Sequence, residues 1–185
     1  MLVTRARGFA TTPALSVGEN GRAFLATPVG SDASGRTHPR LTVFERRTPG
    51  AWSRLPDPSV ITDGGTDPVV AVDSSGMPTV AWVQNEPRGS SLMMSRWTGV
   101  AWGPSTLLDR GPRAGFGSLV ARASGEGIAL AWARWQTRWT RVAVRAALTD
   151  GSGASSGSHA LDSFTIPDIR GGAAHTPPGP APTGV

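Results

Sequence analysis

Short apolar runs separated by turn residues recur along the chain, most clearly near its middle. Val69–Val72 and Val80–Val83 are apolar, and Asp73–Gly76 (Asp-Ser-Ser-Gly) stands between them. Asp can bond its own backbone two residues on and Gly accepts a positive φ, so this spacing predicts a β-hairpin. A third run, Leu92–Trp97, follows a polar loop, and a weaker fourth run lies between Val100 and Leu108. The pattern predicts four antiparallel strands joined up and down in one sheet.

The same arrangement occurs three times. Pro13–Thr27, Pro68–Trp82 and Ser118–Trp132 align without a gap, and the last two copies end in Ala-Trp. Ala lets neighbouring sheets approach and Trp fills the space between them. A period of about 50 residues with four strands per repeat is typical of β-propeller blades. The sequence therefore predicts an all-β fold, a partial β-propeller of about three four-stranded blades. A β-sandwich of twelve short strands is the alternative.

The repeat divides the chain into five segments. Residues 1–12 are a lead-in or the remnant of a preceding strand, and residues 13–60 form blade 1. Residues 61–111 form blade 2, and residues 112–163 form blade 3. Residues 164–185 are a Gly- and Pro-rich tail that is too poor in large apolar residues to bury a core, so we expect the tail to be disordered.

The repeat unit resembles a known family. Residues 70–82 read Val-Ala-Val-Asp-Ser-Ser-Gly-Met-Pro-Thr-Val-Ala-Trp, and residues 96–102 read Arg-Trp-Thr-Gly-Val-Ala-Trp. This frame resembles the repeats of bacterial sialidase-like β-propeller proteins, many of them function-unassigned proteins of high-GC bacteria. The resemblance covers residues 13–163 and implies a fold more than an activity. Such proteins are usually exported, so it also implies an extracellular or cell-surface location, although the first ten residues lack the apolar segment of a signal peptide.

Three blades do not close a ring, since propellers contain about four to eight blades. The end blades of this chain would each present an uncovered apolar sheet face. The sequence therefore predicts one of two partners, either missing blades of the same polypeptide or a second copy of the chain. The start of the chain in a β-like segment favours the first, a fragment of a larger repeat protein.

Composition narrows the choice of function. All 18 basic residues are Arg and the net charge is +5, but the Arg residues are spread along the whole chain, as GC-rich coding would produce. Nucleic-acid binding would need them clustered, so we do not expect it. The absence of Cys excludes disulfides, thiol nucleophiles and thiolate metal sites. No stretch is long and apolar enough to predict a membrane span.

Catalysis is not expected. The family resemblance implies a sialidase with an Arg cluster, a Tyr nucleophile paired with Glu, and an Asp acid, but this chain has no Tyr. The Asp-box of that family, Ser-x-Asp-x-Gly-x-x-Trp, is not matched, because Asp73 and Gly76 are one residue too far apart. No spacing singles out a pair of carboxylates, and His38, His159 and His175 are scattered. We therefore expect no catalytic residue, no metal and no cofactor.

A binding function is the preferred hypothesis, because binding needs only a shaped surface whereas catalysis needs specific reactive groups. The segment from Trp97 to Trp102 resembles the Trp-x-Gly-x-x-Trp segments of fucose-binding propeller lectins, some of which build their ring from several short chains. If a strand ends at Trp132, the loop after it would present aromatic rings and guanidinium groups together. The structural alternative is that the rings pack the blades and the Arg planes stack on them. The candidate carbohydrate-binding residues are Trp97, Trp102, Trp135, Trp139, Arg134 and Arg138.

The sequence thus favours a non-enzymatic β-propeller binding or interaction module with a glycan or protein ligand. Two alternatives stay open. One is a lectin-like propeller assembled from several chains, and the other is a piece of a sialidase-like glycoside hydrolase.

Overall fold

The computed structural model describes residues 12–29, 40–47, 50–58, 65–86, 89–112, 115–136 and 141–165. These residues form strands and no helix, so none of them lies in a helix that could cross a membrane. The strands are β1 (Ala14–Val17), β2 (Ala23–Val29), β3 (Arg40–Arg46), β4 (Trp52–Arg54), β5 (Gly65–Val72), β6 (Pro78–Glu86), β7 (Gly89–Arg96), β8 (Thr106–Pro112), β9 (Gly115–Ser124), β10 (Gly127–Gln136), β11 (Arg141–Leu148) and β12 (His159–Thr165).

The strands form three four-stranded antiparallel sheets, each made of four consecutive strands. Blade 1 is β1–β4, blade 2 is β5–β8 and blade 3 is β9–β12. This arrangement confirms the predicted partial β-propeller. The predicted lead-in is outside the described residues up to residue 11, and so is the predicted tail from residue 166. The last strand includes the first two residues that were assigned to the tail.

Two details of the repeat differ from the sequence alignment. The first hairpin of blade 3 is one residue shorter than that of blade 2, so Val120 rather than Leu119 takes the position of Val69 beside the central strand. In blade 2 the fourth strand begins at Thr106, inside the predicted segment Val100–Leu108, and extends beyond that segment to Pro112. Residues 98–101 form a hairpin tip, where the Thr98 amide donates to the Ala101 carbonyl at 2.9 Å.

The central strand β6 is buried on both faces, as a middle blade requires. Val80 and Trp82 point toward blade 1, and Ala81 and Val83 point toward blade 3. We call the side of each sheet that corresponds to Val80 its leading face, and the side that corresponds to Ala81 its trailing face. The alternation of side chains along a strand produces the two faces from one apolar run.

Two apolar cores hold the blades together, and each lies between a trailing face and the next leading face. Trp82 and Trp132 take equivalent positions in these cores and are almost completely buried. The core between blades 1 and 2 contains Phe24, Ala26, Leu41, Val43, Leu55, Val70, Val72, Val80, Trp82 and Trp97. The core between blades 2 and 3 contains Ala71, Ala81, Val83, Leu92, Met94, Leu108, Phe116, Ile128, Leu130, Trp132 and Ala147. Burial of each large side chain contributes about 1.5–3 kcal/mol.

The predicted hairpin turn at Asp73 is present and is held by the Asp side chain. Asp73 Oδ1 accepts hydrogen bonds from the amides of Ser75 (2.9 Å) and Met77 (3.0 Å), and Gly76 has a φ of 77°. Asp150 Oδ1 accepts from the amides of Ser152 and Ala154 in the same way. These Asp residues therefore have a structural role in turns, as the turn chemistry indicates.

Candidate functional site

Asp109 is a buried charged residue in the core between blades 2 and 3 that contacts two Arg residues of the neighbouring blade. Strand β8 places it opposite Leu92 on the trailing face, where its side chain is 5% exposed. The indole nitrogen of Trp132 donates to Asp109 Oδ2 at 3.1 Å. Arg134 Nη1 lies 3.1 Å from Oδ1, and Arg145 Nε lies 3.4 Å from Oδ2. We call these four residues of two blades the charged seam.

The two guanidinium groups of the charged seam are only partly satisfied by protein groups. Arg134 Nη2 donates to the Arg110 carbonyl at 3.1 Å, and Arg145 Nη2 donates to Ser158 Oγ at 2.6 Å. The Nε atoms of both Arg residues are buried and have no hydrogen-bond partner among the described residues. The contact from Arg145 Nε to Asp109 is thus an ion pair without an aligned hydrogen bond. One carboxylate between two guanidinium groups leaves the seam with a net positive charge.

The charged seam continues outward to a second ion pair. Arg110 Nη2 lies 2.6 Å from Glu86 Oε2, and Ser91 Oγ donates to Glu86 Oε1 at 2.6 Å. The Ser91 hydrogen bond, followed by the Arg110 guanidinium, lowers the pKa of Glu86 against a weaker effect of desolvation. Glu86 and Arg110 are 33% and 62% exposed, so this rim meets solvent while the charged seam beneath it is largely buried.

Arg134 and Trp135 do not form the shared platform that the sequence suggested. Strand β10 continues to Gln136, so both residues lie in the strand and point to opposite faces of the sheet. Arg134 points toward blade 2 and contacts Asp109. Trp135 is half-buried, and a Cβ atom at Gly117 would lie 3.3 Å from its indole nitrogen, so the missing side chain there makes room for the ring. The other two candidates of this group, Arg138 and Trp139, lie outside the described residues.

Trp97 and Trp102 pack against each other beside the start of β6, at the end of blade 2 that lies away from Glu86 and Arg110. Their ring centroids are 5.3 Å apart and their planes meet at 64°. Trp97 is only 4% exposed and belongs to the core between blades 1 and 2. Trp102 is half-buried and donates from its indole nitrogen to the Pro56 carbonyl at 2.6 Å. These contacts favour packing, which was the structural alternative for this segment.

The structure does not bring the described sequence candidates into one site. The Trp97 amide donates to the Pro78 carbonyl at the start of β6. Trp135 lies instead near the end of β10, the strand equivalent to β6. The tryptophan pair and Trp135 are therefore at opposite ends of the blades.

Sequence analysis missed the centre of the charged seam, although a signal was present. Each repeat carries an Asp in or shortly after its last strand, namely Leu-Pro-Asp57, Leu-Leu-Asp109 and Ala-Leu-Asp162. A carboxylate that recurs at a similar place in every repeat indicates a role other than turn formation, because Asp73 and Asp150 already serve the turns. Its burial could be learned only from the packing of blade 3 against blade 2.

Among the described residues, the carboxyl groups with perturbed pKa values are all shifted downward. Burial raises the pKa of Asp73, but hydrogen bonds from Ser75 and Arg96 outweigh it and the net shift is downward. Burial of Glu45 is outweighed in the same way by Arg47 and Arg22. The carboxyl groups with lowered pKa values are Glu45, Asp73, Glu86 and Asp150. A general acid at neutral pH needs a raised pKa, so these four residues are unsuited to that role.

One groove lies between the hairpin tip of blade 2 and the Asp150 turn of blade 3. It encloses about 250 Å³, and its lining includes Arg96, Thr98, Pro104 and Ser152. Arg96 is committed to Asp73, whose Oδ2 lies 2.6 Å from Arg96 Nη2. The lining contains no aromatic residue. In the described part of the chain, no cluster of three or more His, Asp and Glu residues could hold a metal ion.

Comparison with known proteins supports the fold. No family model matches the chain, and no curated protein matches it by sequence. Among solved structures it is similar to the Hadza microbial sialidase Hz136, with a TM-score of 0.56 and 15% identity over 80% of this chain. It is also similar to the polysaccharide lyase Uly1, with a TM-score of 0.50 and 10% identity over 77% of this chain. An endo-arabinase from Bacteroides thetaiotaomicron gives a TM-score of 0.48 and 15% identity over 81% of this chain.

The chain spans only part of these proteins. It covers 36% of the sialidase, 41% of the lyase and 61% of the endo-arabinase. At such low sequence identity the likeness to the sialidase and the lyase shows a shared fold, and it does not transfer an activity.

Proposed function

We propose that this chain is a non-enzymatic β-propeller segment of a larger repeat assembly that binds a carbohydrate. The observation that carries the proposal is the rim above the charged seam, where Glu86 and Arg110 meet solvent as a hydrogen-bonded pair. A carboxylate and a guanidinium group that meet solvent together can both hydrogen-bond the hydroxyl groups of a sugar. Ser91 donates to Glu86 and Arg134 of blade 3 donates to the Arg110 carbonyl, so protein contacts position both residues.

The state of the carboxylates supports binding over catalysis. The described carboxyl groups with perturbed pKa values are ionised near neutrality and are held by Arg residues or turn amides. A retaining or inverting glycosidase needs one carboxyl group protonated and a second placed at a set distance from it. The sequence contains no Tyr for the sialidase mechanism.

A glycan array followed by titration calorimetry tests the proposal. We expect a glycan bound by the full chain to lose at least tenfold in affinity in Glu86→Ala and in Arg110→Ala. Val100→Ala is the matched control, because Val100 is 84% exposed at the hairpin tip at the other end of the blade. Binding that is unchanged in both rim variants would contradict the proposed site.

One alternative is that the chain is a piece of a sialidase-like glycoside hydrolase, and the similarity of its fold to a sialidase and a lyase is the ground for it. Hydrolysis of a fluorogenic sialoside by the purified chain would establish it and would refute the non-enzymatic proposal. A lectin-like propeller assembled from several chains is the second alternative. In either case the end blades would stack on further blades, of the same polypeptide or of a second copy. We propose an extracellular or cell-surface location on the family resemblance alone.

A further inference from the structure

The leading face of blade 1 repeats an interior face but is uncovered. By the pairing registers of the first hairpins, Leu15 and Val17 occupy the positions of Val70 and Val72. Val70 and Val72 are each 6% exposed because blade 1 packs over them. Leu15 and Val17 are 61% and 63% exposed. The same apolar positions are therefore buried inside the chain and open at its first blade.

The trailing face of blade 3 shows the same contrast. Leu108 and Leu161 are both the extra residue of a β-bulge in the last strand of a blade. Leu108 is 7% exposed in the core between blades 2 and 3, whereas Leu161 is 64% exposed. Val120 takes the position of the partly buried Val69 and is 58% exposed. Blade 3 thus ends in a face of the kind that blade 2 uses to hold the next blade.

The carboxylate of the charged seam also recurs on this open face. Asp162 pairs with Val144 in blade 3 as Asp109 pairs with Leu92 in blade 2. Asp162 is exposed, and among the described contacts it accepts only the Ser163 amide. An occupant of the face should therefore bring a cation to Asp162, as Arg134 is brought to Asp109.

The first blade carries such a cation on its leading face. Arg40 pairs with Val29, which aligns with Arg134 in the repeat. The Arg40 side chain is 59% exposed, and its contact to Asp57 is a long one of 4.0 Å. Blade 1 of another copy would bring Arg40, on the neighbouring strand, beside the position from which Arg134 reaches its carboxylate.

We propose that the leading face of blade 1 in one copy packs on the trailing face of blade 3 in a second copy, and the reverse. Both interior cores are made by a leading face on a trailing face, and the chain carries one open face of each kind. Such a contact is heterologous, and two copies would stack six blades, within the range of closed propellers. The inference rests on the blade faces and is independent of the proposed carbohydrate site.

Solution mass by light scattering on the purified full chain tests the proposal. We expect the wild type to have twice the monomer mass of 19.2 kDa. Val17→Arg and Leu161→Arg should each give monomers, since each places a charge in one of the two faces. Val100→Arg is the matched control and should leave the dimer intact. Circular dichroism and cooperative melting show that each variant is folded.

A mixing experiment tests the head-to-tail geometry. Val17→Arg retains the trailing face and Leu161→Arg retains the leading face, so an equimolar mixture should form a heterodimer through one intact contact. Neither variant alone should dimerise. A dimer of either variant by itself would mean a face-to-face contact between like surfaces and would overturn the proposal.

Charge reversal at exposed positions supplies a test that does not disturb packing. Asp162→Arg should weaken dimerisation at least tenfold, and adding Arg40→Asp to the same chain should restore much of the loss. A monomeric wild type at micromolar concentrations would overturn the proposal. So would a series of larger species, since that would mean that two copies do not close.

Discussion

Each of the two blade interfaces contains a buried tryptophan at the equivalent position, but the two indole groups bind different partners. Between blades 1 and 2, Trp82 donates its indole N–H to Gln84 Oε1 of its own strand at 3.3 Å. Between blades 2 and 3, Trp132 donates to Asp109 of the neighbouring blade at 3.1 Å. The first polar contact stabilises a side chain within one sheet, whereas the second joins two sheets.

The ion pairs also lie within one blade at the first interface and cross between blades at the second. At the first interface, Arg22 bonds Glu45 within blade 1 and reaches blade 2 through a 3.3 Å hydrogen bond to the Gly76 carbonyl. At the second, Arg134 and Arg145 cross the interface to Asp109. A buried ion pair adds little net stability, because desolvation offsets its Coulombic attraction, but it penalises any packing that leaves a charge unpaired. The comparison suggests that apolar packing holds the first interface together and that charge also sets the register of the second.

Removal of the tryptophans should have the largest effect. Trp132→Ala and Trp82→Ala each leave a large cavity, and we expect a loss of about 3–5 kcal/mol in the free energy of unfolding. Trp132→Ala should cost about 1 kcal/mol more, because it also removes a hydrogen bond from the buried Asp109 carboxylate. Urea denaturation followed by circular dichroism measures both. Equal losses would show that the charged seam adds nothing to the second interface.

Removal of the seam carboxylate should come next. Asp109→Asn keeps the shape of the side chain but leaves two guanidinium groups without their counter-ion, so we expect a loss of about 3 kcal/mol, since both groups retain some exposure. Asp57→Asn is the matched control, because Asp57 pairs with Arg54 at the surface and should cost less than about 1 kcal/mol. Adding Arg134→Met to Asp109→Asn should recover part of the loss. Similar losses for the two Asn variants would contradict a buried role for Asp109.

The sheets of this fold could be predicted from the sequence. The buried contacts of Asp109 could not, for a physical reason. The spacing of Val, Ala and Trp around Gly turns predicts the sheets, because strand alternation and turn chemistry are local. The environment of Asp109 depends on which face of blade 3 packs on blade 2, and no local pattern records that. Arg134 and Trp135 were expected in a loop, but β10 continues through them because both pair with β11.

An ion pair within one blade gives a contrast to the charged seam. Asp73→Asn weakens the bonds to Arg96 and the Ser75 turn, and we expect a loss of about 2 kcal/mol at neutral pH. The pKa of Asp73 is lowered below the ordinary value of 3.8, so its contribution is complete above that pH and is lost as the pH falls through the lower folded value. The difference in stability between wild type and variant should therefore shrink in acid. A difference that stays constant on acidification would show that Asp73 acts through the shape of the turn alone.

Loss of the polar contact at the first interface should have the smallest effect. Gln84→Leu removes the acceptor of the Trp82 indole N–H but keeps an apolar side chain of similar size in a buried position. We expect a loss of about 1 kcal/mol, the usual contribution of one neutral hydrogen bond, because no charge is left uncompensated. Urea denaturation of Gln84→Leu and Asp109→Asn under the same conditions compares the two losses in the free energy of unfolding. If Gln84→Leu proved as costly as Asp109→Asn, the two interfaces would depend on polar groups to the same extent, and their difference would be one of residue type alone.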